Sequence, residues 1–209
     1  MRSKQGASAT FTGTARRAQI IDCAIEVIAE SGYAQASLRK IADRVGIAMS
    51  AVLYHFGSRD NLVDAVIEQM YRTALAVVVP AMSAEKTATG KINAYIRASL
   101  EYFDTNRLHL TALTQLGSSY RPKDGRRFDE LGMTAELGEQ LAALDVTPIF
   151  VAGQSDGEFD DFSVDSMAIA LRGAVNAAVE KMLRDPEFDA RGYGNDLVEI
   201  FQRALRSPR

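Results

Sequence analysis

With 209 residues, 47% of them hydrophobic and 24% charged, the chain is long enough to bury a substantial core and has an ordinary globular balance. No stretch approaches the roughly 18 consecutive apolar residues of a membrane-spanning helix, and the N-terminus lacks a secretory apolar run; with one cysteine, Cys23, unable to form an internal disulfide, a cytoplasmic address is expected. The net charge of −3 excludes a wholly basic nucleic-acid coat but hides an asymmetry: residues 1–60 carry eight Lys/Arg against five Asp/Glu, or +3, and the remainder sixteen against twenty-two, or −6. A basic head on an acidic body suits one end that faces phosphates, although a chance fluctuation of a few charges has the same arithmetic.

Along the chain, residues 1–13 read as a disordered basic arm containing Arg2 and Lys4, which a minor groove or bulk solvent would accommodate. The 3.6-residue spacing of Ile20, Ile21, Ala24, Ile25 and Ile28 predicts a helix over 14–31, ended by Gly32. Ser37 is an N-cap for a short helix over 38–45, broken at Gly46, and a second short helix is predicted over 49–55, closed by Gly57. Ser58 caps a long helix from Arg59, with Asp60 in its first turn, expected to run to Val79 and stop at Pro80. Further helices are predicted near 88–104, 107–119, 124–144, 148–154 (Thr147 as N-cap and Pro148 as first residue), 163–184 and 190–206. No strand-like alternation competes, so the expected fold class is all-α.

Residues 37–56 read SLRKIADRVGIAMSAVLYHF. Two short helices joined by a tight turn at Gly46 are what a DNA-reading helix-turn-helix requires, although an ordinary helical corner has the same spacing. Ile47, Ala51, Val52 and Phe56 form an inner face suited to Ile41, Ala42 and Val45; Met49, Ser50, Leu53 and Tyr54 are left on the outer face. Arg16, Arg17, Arg39, Lys40 and Arg44 are candidate phosphate contacts, each equally compatible with a solvated helix face.

The region 15–70 as a whole resembles the TetR (tetracycline-repressor-like) family of bacterial transcription regulators. The resemblance rests on the Ile/Ala stripe, Gly32–Tyr33 leading to Ser37, Ile41–Ala42, Gly46–Ile47, His55–Phe56 and the cluster Ser58, Arg59, Asp60 with Leu62. It implies an N-terminal three-helix helix-turn-helix domain (14–60) followed by a larger helical ligand-binding and dimerisation domain (61–209), about nine to ten helices in all. The family's recognition helix corresponds to 48–56, so the implied DNA-binding residues are Ser37, Arg39, Arg44, Ala48, Met49, Ser50, Leu53, Tyr54, His55 and Arg59. Ser37 and Arg59 match positions that meet phosphate. The N-terminal half of that helix has no Arg or Asn for bidentate base contacts, so shape readout is expected to share in specificity. The chain also departs from the family at Leu53, where a tyrosine is usual; Tyr54 follows one step later.

The same resemblance implies a homodimer and a small-molecule effector. For the interface, the apolar stripes Met167, Leu171, Ala174, Val175, Ala178 and Met182, then Leu197, Phe201 and Ala204, would pack in a four-helix bundle; burial inside one subunit accounts for them equally well. Residues 153–159 (GQSDGEF) look like the turn that precedes the dimer helices in relatives. For a largely apolar effector, Tyr71, Tyr95, Tyr102, Phe103, His109, Phe128 and Met133 are candidates by residue type. No cofactor, metal or membrane partner is implied. An enzyme is not expected: His55 and His109 lie far apart, and no metal-ligand pair, phosphate loop or nucleophile elbow is present. The alternative is a helical small-molecule-binding protein without specific DNA binding.

Overall fold

The computed structural model describes residues 4–206, apart from the side chains of residues 4–12 and of Asp129. Among the described residues ten α-helices follow one another: α1 (Lys4–Ser31), α2 (Leu38–Val45), α3 (Met49–Phe56), α4 (Arg59–Ser83), α5 (Ala88–Thr105), α6 (Arg107–Ser119), α7 (Ala135–Leu141), α8 (Thr147–Ser155), α9 (Val164–Arg184) and α10 (Ala190–Ala204). Short 3-10 turns lie at Tyr33–Gln35, Phe128–Glu130 and Ala142–Leu144, and the described residues contain no strand. The fold is all-α, and no described helix is long and apolar enough to cross a membrane.

Four boundaries differ from expectation for identifiable reasons. The helix α1 begins at Lys4, so residues 4–13 continue the helix instead of forming a disordered arm; extending a helix that the Ile/Ala stripe has nucleated costs little per residue. Arg2 lies outside the described residues. Pro80 sits inside α4. Its missing N–H leaves the carbonyl of Ala76 without its helical donor, but Ala76 is exposed, and Ala84 resumes the ladder by donating to Pro80 O at 3.0 Å.

The continuous helix expected over 124–144 is replaced by two 3-10 turns with the short α7 between them. Gly125 and Gly132 both take positive φ, +77° and +65°. At Gly132 the chain passes so close to α4 that a Cβ would lie 2.6 Å from the Asp64 carbonyl oxygen and 2.7 Å from the Glu68 nitrogen. The Asp64 carboxylate holds it there, accepting from Gly132 N at 3.0 Å and from both terminal nitrogens of Arg126 at 3.2 and 2.9 Å. At α8, Thr147 is the first helical residue instead of the cap; the Asp145 carboxylate, two residues earlier, accepts its N–H at 3.0 Å.

Two compact units emerge, Met1–Met70 with Thr111–Met133 and Tyr71–Leu110 with Thr134–Arg209. This division departs from a single boundary at residue 60, because α4 and α6 each contribute to both units. In the first unit the α1 stripe Ile20, Ile21, Ala24, Ile25 and Ile28 is fully buried, as are Ile41 and Ala42 of α2, Val52 and Phe56 of α3, and Leu62, Val63, Val66 and Ile67 of α4. In the second, α5, α8, α9 and α10 share a core that includes Ile92, Ile96, Phe150, Leu171, Val175, Leu197 and Phe201. The rings of Phe150, Phe159 and Phe162 meet there with centroids 5.7 to 6.3 Å apart.

The turn after α8 carries a second cap. Glu158 accepts from Ala88 N and Thr89 N, each at 3.0 Å, and from the Thr89 hydroxyl at 3.0 Å, so it supplies the negative charge favoured at the start of α5. The Thr89 amide first, then that of Ala88, hold its carboxyl below the ordinary glutamate value. A folded-state pKa below the unfolded one stabilises above the unfolded value and loses that contribution as pH falls through the folded value. Glu158→Gln is therefore expected to cost about 1 kcal/mol at neutral pH, within the usual range for a lost cap. Thermal melts of the two proteins should converge as pH is lowered below the carboxylate range.

Candidate nucleic-acid interface

The geometry of α2 and α3 follows from one turn. Ser37 caps α2, its hydroxyl accepting from Lys40 N at 3.1 Å. At the other end Gly46 adopts φ 77°, ψ 36°, a left-handed conformation that costs an L side chain about 1–2 kcal/mol. There Gly46 N–H donates to Asp43 O at 3.2 Å and Ile47 N–H to Ala42 O at 3.0 Å, the paired bonds of a Schellman closure. The chain reverses within two residues and α3 starts at Met49.

The turn sets which face of α3 points inward. Val52 and Phe56 are buried, and the Arg17 guanidinium lies 5.0 Å over the Phe56 ring. On the opposite face Met49 is 47% exposed, Leu53 37% and Tyr54 87%, with Ala48 and Ser50 also exposed. A single-turn sweep of apolar and hydroxyl-bearing side chains thus stands free of the core. His55 is half-buried, edge-on to Tyr54 (centroids 5.4 Å apart) and beside Phe56. Tyr54 is the more exposed member of the Leu53–Tyr54 pair and carries the phenol outward.

The basic candidates separate. Arg39 and Lys40 are exposed on α2. Arg44 instead bridges to α1, pairing with Glu26 at 3.2 Å and with Glu30 at 2.5 Å. Its hydrogen bond to Glu30 holds that carboxyl below the usual range. Two carboxylates one helical turn apart thus share the charge of Arg44, whose side chain is still exposed to solvent. Arg59 is held too: its guanidinium stacks 4.1 Å over the Tyr33 ring and donates to the Tyr33 carbonyl. It lines a cleft with Tyr33, Ser58 and Asp60, with Ser119 at the end of α6, and with Tyr120, Arg121 and Lys123, which follow that helix. Sequence reasoning missed this second group. The run Arg121-Pro-Lys-Asp-Gly-Arg-Arg is a visible signal, but its first residues fall in the break between the helices predicted over 107–119 and 124–144, inside the region assigned to the larger domain.

The structure assembles part of the expected ligand set. In the second unit, the Tyr102 hydroxyl lies 3.2 Å from His109 Nδ1, the Tyr102 and Phe103 ring centroids are 5.2 Å apart, and Tyr95 packs on the same core. Burial pushes the Tyr102 phenol up to about 12. Tyr71 is half-buried in that unit. Phe128 and Met133 fall in the first unit, Phe128 against Gly117 and Met133 exposed.

The stripes expected at a dimer interface are for the most part buried within the chain itself. Leu171, Val175, Ala178, Met182, Leu197 and Phe201 are buried in the subunit's own core, with Met167 and Ala174 half-buried against it; Ala204 alone is exposed. A helix in a single subunit turns its widest apolar face inward. What remains outside on α9 is Ile169 (66% exposed) in line with Gly173 and Ala177, and on α10 Ile200 (56%).

Residues 20–66 match the family described as bacterial regulatory proteins, tetR family. Over 57 residues the chain is 37% identical to the HTH-type transcriptional regulator BetI of Paraburkholderia phytofirmans, covering 27% of this chain and 29% of that protein. Over 51 residues it is 37% identical to the fatty acid metabolism regulator protein of Bacillus subtilis, covering 24% and 26%. These matches span under a third of either relative. The fold likeness extends much further: the crystal structure of the transcriptional regulator FadR from Bacillus subtilis in complex with stearoyl-CoA superposes with a TM-score of 0.74 at 20% identity, over 90% of this chain and 98% of that one.

The turn itself is testable. Nothing lies within 4 Å of a Cβ built on Gly46, so Gly46→Ala isolates the backbone cost. It should lower the melting temperature by roughly 2–8 °C, from about 1–2 kcal/mol spread over a chain of this size. Gly46→Asn should lose less, since asparagine tolerates the left-handed region. Differential scanning calorimetry of the three proteins decides it.

Proposed function

Because the chain belongs to the tetR family of bacterial regulatory proteins, we propose that it is a ligand-responsive transcription regulator, a repressor that binds a palindromic operator as a homodimer and is released by a small-molecule inducer. The observation that carries this reading is the outer face of α3: Met49, Ser50, Leu53 and Tyr54 stand clear of the core on a helix locked by the Gly46 turn. In a major groove, Met49 meets a thymine methyl, Ser50 accepts or donates at a base edge, and Tyr54 reaches base or backbone. With no arginine or asparagine on that half-helix, part of the discrimination falls to DNA shape. Ser37 and Arg39 at the start of α2 supply phosphate contacts beside it.

For the dimer we assign the exposed line Ile169, Gly173 and Ala177 of α9, with Ile200 of α10, in place of the buried stripes. Small residues there permit close helix approach around one large apolar side chain. The proposed effector is a largely apolar molecule. An open groove of about 390 Å³ on the second unit, lined by Leu75, Ala76, Val79 and Pro80 of α4 and by Ala143, has that chemistry, and the Tyr102–His109 pair offers a polar anchor in the same unit. The structural relative FadR holds stearoyl-CoA, which makes long-chain acyl compounds the first class to try. The long helix α4 contributes to both units. An effector that binds one spacing of the two heads more tightly than another acts through it.

A footprint on DNA flanking the gene, across a salt series with competitor, is the deciding experiment. A protected near-palindrome is expected. Tyr54→Ala and Met49→Ala should each weaken specific binding about tenfold or more while leaving binding to random duplex nearly unchanged. Recovery of no specific duplex by selection from genomic DNA would replace the regulator with a helical small-molecule carrier. Ile169→Glu should shift the dimer to monomer in light scattering; an unchanged mass would move the interface elsewhere.

A further inference from the structure

The cleft around Arg59 is built from three segments, Tyr33, residues 58–60 and residues 119–123, all in the first unit. Its volume is about 350 Å³, and three cations, Arg59, Arg121 and Lys123, line it against one carboxylate, Asp60. The hydroxyls of Ser58 and Ser119 lie on its wall, and the positive end of the 25-residue helix α4 opens onto it. The buried Arg59 Nε lacks a hydrogen-bond partner there, and a buried donor without an acceptor is costly and rare in folded proteins, so it marks a place for an acceptor-rich group. The hydroxyl of Tyr120, a residue only 3% exposed, faces the Asp60 carboxylate instead; burial first, then that carboxylate, keep the phenol protonated far above the usual tyrosine range. Arg121 already donates to the Tyr120 and Gly117 carbonyls at 2.7 and 3.3 Å, which fixes its guanidinium at the rim and offsets the negative end of α6.

We propose that this cleft seats a phosphate oxyanion, and that Arg121 and Lys123 thereby extend the phosphate-binding surface of the first unit beyond its helix-turn-helix. The favoured source is a phosphate of the DNA backbone, which rests on the operator-binding reading above; a free phosphoryl compound has the same chemistry. Ser58 and Arg59 follow α3 after a single residue, Gly57, so the cleft adjoins the end of the helix proposed to read the groove. A backbone phosphate there requires no base contact and so adds affinity without sequence preference.

The test uses the full chain and the double variant Arg121→Gln/Lys123→Gln, with Lys123→Gln alone, at an exposed position, as the second variant should the double one melt early. The first readout is the salt dependence of binding to a random-sequence duplex. Loss of one seated phosphate should reduce the slope of log affinity against log salt by about 1. The second is the melting temperature in inorganic phosphate against chloride at equal ionic strength. A reduced slope assigns the seat to DNA. An unchanged slope, with a phosphate-dependent rise in melting temperature that the variant loses, assigns it to a free phosphoryl group. An unchanged slope with no difference between variant and parent in phosphate overturns the seat. If the parent protein binds no duplex, the operator reading fails and the melting arm alone decides the cleft. Asp60→Asn should strengthen the response in whichever arm is positive, since it removes the one opposing charge.

Discussion

The backbone at Gly46 is the constraint on which the rest of the first unit depends. A left-handed residue closes α2 with the Ile47-to-Ala42 and Gly46-to-Asp43 bonds, and α3 can only leave in one direction from it. That direction buries Val52 and Phe56 and fixes Met49, Ser50, Leu53 and Tyr54 on the far side. The same inward pair is gripped from α1, where Arg17 lies over Phe56. An eight-residue helix is too short to be stable alone, so its orientation is a property of this packing and not of its own propensity.

A second fastening ties the chain after α6 to α4. The Asp64 carboxylate receives the Arg126 fork and the Gly132 amide together, and Gly132 allows the backbones to approach more closely than any side chain would permit. Charge-assisted, two-pronged bonds of this kind impose geometry as well as energy. Their consequence is functional: basic residues that belong in sequence to the middle of the chain become part of the same unit as the helix-turn-helix. The linear reading of a basic head ending near residue 60 therefore left out Arg121, Lys123, Arg126 and Arg127 of that unit, together with the acidic residues Asp124, Asp129 and Glu130 that accompany them.

In the second unit, competition between two uses of one helix is visible. The widest apolar stripes of α9 and α10 go to the subunit's own core with α5 and α8, because burial there satisfies both helices at once. What is left for a second copy is narrower, with Ile169 and Ile200 as its large side chains among small and charged neighbours. Apolar area by itself does not separate an intersubunit face from an intrasubunit one, because the same driving force buries both.

By itself the sequence determined the all-α class, the positions of α2, α3, α5 and α6 within a residue or so, the inner and outer faces of α3, and the family resemblance of residues 15–70. These are local matters: a 3.6-residue period, a capping serine at 37 and a glycine at 46 act over one or two turns, where neighbouring residues are also neighbours in space. Only the tertiary structure decided that Pro80 lies within a helix, that residues 124–144 are broken, that Arg44 is paired with Glu26 and Glu30, and that Tyr120, Arg121 and Lys123 share a cleft with Arg59. Each depends on groups distant in sequence arriving at one place. A carbonyl that can be left unpaired at an exposed position, a carboxylate one helix away, or a backbone close enough to demand glycine has no signature in the residues on either side of it.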